Sequence, residues 1–173
     1  RFEKRSLEEI TSDIDTIKAI HDDIKELSWK KGFSGKVTDS LVEEVFDSHI
    51  INESYKSVAV WMYFGCKNVF IQDANSLAMK ANVFIDALTY LKETFPGIDR
   101  VTSYARSRTI ARSVSADNLK KMKAAGLTRL HVGLESGHDP LLQYMNKGVT
   151  RDQHILCGRK VKDAGIELSE YVV

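Results

Sequence analysis

Apolar residues recur along the N-terminal stretch at three- and four-residue spacing: Leu7, Ile10, Ile14, Ile17, Ile20, Ile24 and Leu27. That spacing lays one apolar stripe along a helix. Ser6 stands just ahead of the stripe and Glu9 three residues on, the pattern of a capping box. A loop with Gly32 and Gly35 follows, and Thr38 or Asp39 starts a short helix carrying Leu41, Val42, Val45 and Phe46. The pattern predicts a third helix from about Glu53 to Phe64. A fourth runs from about Met79 to Phe95, where Pro96-Gly97 stops it. Asp117–Ala125 and Thr150–Ala164 read as the last long helices, with a short one near Pro140–Met145.

Short apolar runs lie between these helices, each behind a glycine. Gly65 precedes Val69-Phe70-Ile71, Gly97 precedes Val101–Tyr104, Gly126 precedes Leu130-His131-Val132, and Gly165 precedes Leu168–Val172. The glycines recur every 30 to 40 residues or so, about one strand plus one helix. Two joints nearly repeat: Lys123-Ala124-Ala125-Gly126-Leu127 and Lys162-Asp163-Ala164-Gly165-Ile166. Strands alternating with helices form a parallel sheet, because parallel neighbours need a crossover. The class is therefore α/β, as an open doubly wound sheet or part of a barrel. Alternation along one strand favours the barrel. Leu130, Val132 and Leu134 share one face, while His131, Gly133 and Glu135 share the other. A sheet covered on both sides is apolar on both, so a polar face suits a lumen that holds a ligand. Gln72, Tyr104 and Arg106 would share that lumen; the other reading is polar residues satisfied near strand ends.

Composition narrows the field. The 173 residues are 43% hydrophobic and 28% charged, consistent with one folded domain over residues 1–173. With 25 basic and 24 acidic residues, bulk charge indicates no nucleic-acid or membrane partner. No apolar run approaches the ~20 residues of a membrane span, and Arg1-Phe2-Glu3-Lys4-Arg5 does not open a signal peptide. A cytoplasmic location is expected. Cys66 and Cys157 cannot by themselves supply a four-ligand metal site, and they read as buried or incidental thiols. The chain opens on Arg and closes on Glu170-Tyr171-Val172-Val173, a strand in mid-course, so both ends read as cut.

Ligands of parallel α/β architectures bind at the carboxyl ends of strands. Gln72–Ser76, Tyr104–Arg108 and Glu135–Asp139 lie there. In Gly133-Leu134-Glu135-Ser136-Gly137 two glycines flank a carboxylate, which can accept from an ammonium or a ribose hydroxyl. The alternative is a loop carboxylate that caps the helix at Pro140. Arg106 can meet a carboxylate with two donors, whereas Arg108 and Arg112 read as a solvated basic loop. Asp73 either accepts from a ligand hydroxyl or caps a helix. His21, His49, His138 and His154 show no ligand spacing and read as surface residues, and no metal-ligand set is expected. No Ser/His/Asp arrangement, phosphate-cradling loop or GxGxxG is present.

Gly133–Gly137, then Lys147-Gly148-Val149-Thr150, then Gly158–Ile166 resemble the fourth-strand region of radical S-adenosylmethionine (radical SAM) enzymes, in particular those labelled Fe-S oxidoreductases. Phe2–Ile10 resembles the stretch just after their cluster-binding loop. The likeness covers most of the chain and is strongest from Val69 to Val173. It implies about four of the six strands of a partial βα barrel, family strands two to five. It also implies a 4Fe-4S cluster and S-adenosylmethionine in the full-length protein, with reductive cleavage of the cofactor to a 5′-deoxyadenosyl radical. Glu135 matches a cofactor-contacting residue. Ser103, Tyr104 and Arg106 match a strand end that lines the cofactor pocket. Gln72-Asp73 stands where many members carry Gly-Gly-Glu for the methionine amino group, a departure from the pattern. The family's Cys-x3-Cys-x2-Cys triad is missing and is expected ahead of Arg1.

The expected function is thus the core of a radical SAM enzyme acting on a small-molecule or other unknown substrate. The piece in hand is expected to be inactive and to hold no cofactor. Two other classes remain: a non-catalytic βα scaffold or binding domain that has lost the cluster, and a barrel binding another anionic metabolite through Arg106. Unpaired strand edges favour pairing between copies, so light scattering at high concentration is expected to detect a dimer. A strictly monomeric species would contradict it.

Overall fold

A computed structural model describes residues 5–48 and 52–172. The segment Phe2–Lys4 and His49, which entered the sequence reading, lie outside them. Four strands form one sheet: β1 (Asn68–Ile71), β2 (Arg100–Ala105), β3 (Leu127–Glu135) and β4 (Glu167–Val172). Their spatial order is β1-β2-β3-β4, and every neighbouring pair is parallel. Each crossover therefore advances the sheet in the same direction. Right-handed crossovers then place their helices on a single face. A doubly wound sheet would reverse its strand order at a switch point, and this one does not. The fold is α/β, a partial parallel (β/α) barrel with four strands described.

The helices are α1 (Leu7–Lys30), α2 (Asp39–Asp47), α3 (Glu53–Tyr63), α4 (Ala81–Thr94), α5 (Ser107–Ser113), α6 (Ala116–Ala124), α7 (Asp139–Tyr144) and α8 (Arg151–Asp163). Ser6 and Glu9 form the expected capping box, with Glu9 N donating to Ser6 Oγ at 3.2 Å and Ser6 N to the Glu9 carboxylate at 2.6 Å. Thr150 and Gln153 form a second at α8. Helix α5 corrects the sequence reading, which placed Arg108 and Arg112 in a loop. Ser-Arg-Thr-Ile-Ala-Arg-Ser offers only Ile110 and Ala111 as apolar residues, too few to display a period. Both are buried, so packing rather than propensity makes the helix.

The main core fills the space between the sheet and α4, α5, α6 and α8. Val101, Leu130 and Val132 from the strands meet Phe84, Leu88, Ile110, Leu119 and Val161. A second core joins α1, α2 and α3 through Ile24, Leu41, Val45, Val58 and Ala59. Trp61 packs against both cores and donates from Nε1 to the Asn68 carbonyl oxygen at 2.8 Å, which ties the helical unit to the first strand. Among the described residues, β1 and β4 each pair on one side only. Leu130 is fully buried at the centre of the sheet. Leu130→Ala is expected to destabilise the fold by about 2–5 kcal/mol in urea unfolding, and a loss under about 1 kcal/mol would contradict this packing.

Candidate functional site

Alternation along the strands assigns the faces. Val69, Ile71, Val101, Ala105, Leu130 and Val132 join the helix-covered core. The opposite face carries one ring from each strand: Phe70, Tyr104, His131 and Tyr171. Ring centroids lie 4.8 Å apart for Phe70–Tyr104, 5.9 Å for Tyr104–His131 and 5.5 Å for His131–Tyr171. The row is continuous because Tyr104 and His131 are register partners and Gly133 faces Tyr171. His131 Nδ1 is hydrogen-bonded to the Tyr171 hydroxyl. Burial, and then the Arg129 charge, push the His131 imidazole below its ordinary value, so the ring is neutral near pH 7. Below the rings, at the amino ends of the strands, Arg129 Nε approaches Glu167 at 3.4 Å without the geometry of a hydrogen bond, and Arg100 lies 3.9 Å from the same carboxylate.

Above the rings sits the rim at the carboxyl ends. Glu135 adopts a left-handed backbone at φ 62° where the β3–β4 register shifts. This conformation is uncommon outside glycine, and it marks a strand end held against its own preference. The Glu135 carboxylate is ion-paired with Lys147, and both side chains are largely shielded. A Cβ on Gly133 would lie 2.6 Å from Glu135 Oε1 and 2.9 Å from Lys147 Nζ. Gly133 is therefore the bare spot over which the pair folds. Lys147 stands in the turn after α7, between Asn146 and Gly148, both at positive φ.

The family profile of the radical SAM superfamily matches residues 49–173. The chain belongs to that superfamily. The solved cobalamin-dependent S-adenosylmethionine radical enzyme OxsB with aqua-cobalamin bound is similar to it, with a TM-score of 0.51, 19% identity, and coverage of 68% of this chain and 18% of that one. The same enzyme with aqua-cobalamin and S-adenosylmethionine bound gives a TM-score of 0.50 and 17% identity, over 76% of this chain and 19% of that one. These likenesses show the fold. The chain spans less than a fifth of the length of those structures. No curated protein matches it. Full-length radical SAM relatives carry S-adenosylmethionine and a 4Fe-4S cluster.

Within this radical SAM chain, the residues singled out in the sequence separate into two groups. Glu135 and Tyr104 look onto the open face. Gln72 and Asp73 are exposed just beyond β1 and, with Phe70, Ala74 and Tyr104, line a cleft of about 610 Å³. Arg106 is exposed and is the next residue on the Tyr104 side of its strand. Extending the Tyr104–His131 register by two places brings it level with Gly133. Ser103 stands apart. It is fully buried on the helix side and its hydroxyl donates to Ser76 Oγ at 2.7 Å, so it joins β2 to the loop after β1 instead of lining the open face. Glu135 does not cap α7; its partner is Lys147.

Sequence reasoning overlooked three residues. Lys147 appeared only as part of a resembling motif, since nothing in a turn lysine signals a partner at a distance of 12 residues. Asn75 is buried, accepts from Arg106 N at 3.1 Å and donates to Thr109 Oγ1 at 2.9 Å, linking the ends of β1 and β2. His154 is the third. It was read as a surface residue, yet it is buried with Nδ1 2.8 Å from Ser107 Oγ. His138 is exposed, and His21 packs edge-on against Phe95 at 5.7 Å.

The two thiols do not converge on a metal site. Cys157 is buried in α8, where lost solvation pushes its thiol up to about 12, and Cys66 is half-buried beyond α3 with its thiol also pushed up by burial. Among the described residues no three His, Cys, Asp or Glu side chains are grouped to hold a metal ion, and no helix is long and apolar enough to cross a membrane. The ring row has a pH consequence. His131 is expected to titrate below 6.5 in NMR, because the fold favours its neutral form. Its contribution to stability is present above that value and lost as pH falls through the folded pKa. Titration at or above 6.5 would mean the ring is not enclosed as described.

Proposed function

We propose that this chain is the core segment of a radical SAM enzyme of the oxidoreductase type and that its open sheet face holds S-adenosylmethionine. One observation carries the reading: the ion-paired Glu135 carboxylate and Lys147 ammonium stand at the carboxyl rim of the sheet, above a floor of rings, with Arg106 just past the end of β2. The cofactor is a zwitterion joined to an adenosine, and each part has a chemical counterpart there. Glu135 accepts from the amino group or from ribose hydroxyls, Lys147 and Arg106 face the carboxylate, and Tyr104 and Phe70 offer ring surface to the adenine. Gln72 and Asp73 supply further acceptors at the mouth of the cleft. Gly133 supports the fit, since any side chain there would displace the Glu135–Lys147 pair.

The cluster has a different standing. An Fe-S centre needs converging thiolates, and this chain has two cysteines on separate elements. The residues present do not fit a 4Fe-4S cluster. Beside such a cluster, S-adenosylmethionine supplies the hydrogen-abstracting chemistry of the family. What this chain's own residues contribute is binding and orientation. The paired Glu135 and Lys147 hold opposite charges in fixed positions on a surface partly shielded from water, where each is worth more than in bulk solvent. The neutral His131 and the tyrosines beneath keep the floor free of charge. The substrate is a small molecule or another group admitted to the lumen. Two free thiols suit a reducing, cytoplasmic compartment, and the one-sided edges of β1 and β4 suit pairing between copies.

S-adenosylhomocysteine, which shares the adenosyl and amino-acid parts, tests the binding half by titration calorimetry. Saturable binding is expected, weakened about tenfold by Glu135→Gln and by Lys147→Met, the worth of one charge-assisted hydrogen bond. Absence of binding by the folded chain would reject the site. The catalytic half is tested on the full-length gene product, reconstituted anaerobically with iron and sulfide. Release of 5′-deoxyadenosine under reducing conditions is expected, and no release despite a stoichiometric cluster would favour the non-catalytic scaffold.

A further inference from the structure

Helix α5 is short and poor in apolar residues, and α8 grips it at both ends. At its start, Ser107 Oγ lies 2.8 Å from His154 Nδ1, with both residues buried. At its end, Lys160 Nζ donates to the carbonyl oxygens of Ile110, Ala111 and Val114 at 3.1, 3.0 and 2.9 Å. These carbonyls are the ones a helix terminus leaves without partners. His154, Cys157 and Lys160 recur at helical spacing and so form one face of α8. Arg106 is the residue directly before Ser107, and its backbone N–H is held from the other side by Asn75. The Arg106 backbone is thus held between Asn75 and Ser107, and Ser107 in turn meets a buried imidazole.

We propose that His154 is a positioning residue for Arg106: the neutral imidazole holds Ser107, Ser107 sets the start of α5, and protonation of His154 releases Arg106 from the rim. The proposal rests on the reading that this rim binds S-adenosylmethionine. Its physical basis is the second ring nitrogen. His154 Nε2 is buried and has no hydrogen-bond partner among the described residues. A protonated ring would carry an N–H on each nitrogen and a net charge, with no acceptor for Nε2 in a site shut off from water, and that is costly. The ring meets Ser107 from α5, whose hydroxyl also lies against Cys157, and the charged groups acting on it are Lys147, Glu135 and Asp139 from the rim and α7. Burial and then Lys147 lower its pKa, while Glu135 and Asp139 act the other way with less effect, so it lies below 6.5. Positioning is therefore complete above that value and is lost as pH falls through the folded pKa.

The test is the pH profile of S-adenosylhomocysteine affinity, measured by calorimetry on this chain. Affinity is expected to be level above neutral pH and to fall about tenfold as acidification protonates His154 below its ordinary range, the worth of one hydrogen bond. His154→Asn keeps an amide against Ser107 and cannot titrate. It is expected to bind within about twofold of the unaltered chain near neutral pH and to show no acid loss. If the loss persists in His154→Asn, it belongs to His131 or another group and the proposal is overturned. His154→Leu is expected to weaken binding about tenfold, and this effect should vanish in an Arg106→Ala background. An equal effect in both backgrounds would refute the route through Arg106. Hydrogen exchange of the Arg106 amide gives a readout free of ligand. Its protection should drop on acidification in the unaltered chain and stay level in His154→Asn. Failure of S-adenosylhomocysteine to bind at any pH would reject the cofactor reading, and the exchange measurement alone would then decide the role of His154. Equal loss of protection in both proteins would end it.

Discussion

The constraint on which the structure depends is the handedness of its crossovers. Four parallel strands are laid down in chain order, so each connecting helix must return on the same side of the sheet. One face is thereby buried beneath α4, α5, α6 and α8, and the other leaves Phe70, Tyr104 and Tyr171 exposed among the described residues. The separation of chemistry follows. Aliphatic side chains occupy the covered face, while rings and charges occupy the bare one. A doubly wound sheet of the same strands would have buried both faces, placing Arg129, His131 and Glu135 under a second layer of helices.

The bare face is graded along the strand direction. Arg100 and Arg129 share Glu167 at the amino ends, four rings form a band in the middle, and Glu135, Lys147 and Arg106 stand at the carboxyl ends. The gradation places charge where loops can brace it and keeps the band between free of ions. Bracing is visible at each rim residue. Glu135 is turned back by a left-handed backbone and a register shift. Lys147 is carried by a turn with positive φ on both sides. Arg106 is pinned through Asn75 and Ser107. Precision at such a rim comes from buried neighbours more than from the exposed side chains themselves.

Much of the architecture was legible in the residues. The long amphipathic stripe of α1, the capping box at Ser6, the helix start at Thr150 and the glycine ahead of each strand are local signals, and local signals survive into the fold because they report backbone preference directly. The alternation of Leu130-His131-Val132-Gly133 correctly separated the two faces for the same reason. Helix α5 was not legible, because its stability comes from Lys160 and from the burial of Ile110 rather than from its own seven residues. Ser103 was placed at the pocket by resemblance, yet the parity of β2 turns it toward Ser76. His154 looked like a surface histidine because only the packing of α8 on α5 shows what surrounds it.

The α/β class, the positions of most elements and the polar face of the sheet, with Tyr104, His131 and Glu135 on it, could be read from the chain alone. These follow from periods of two and 3.6 residues and from glycine stops, which are properties of neighbours along the chain. Folding alone brings the strands into one continuous order, pairs Lys147 with Glu135 above Gly133, and sets a buried histidine against Ser107 next to Arg106. Those relations join residues far apart in the chain, and their energies exist only once the crossovers have brought the segments together.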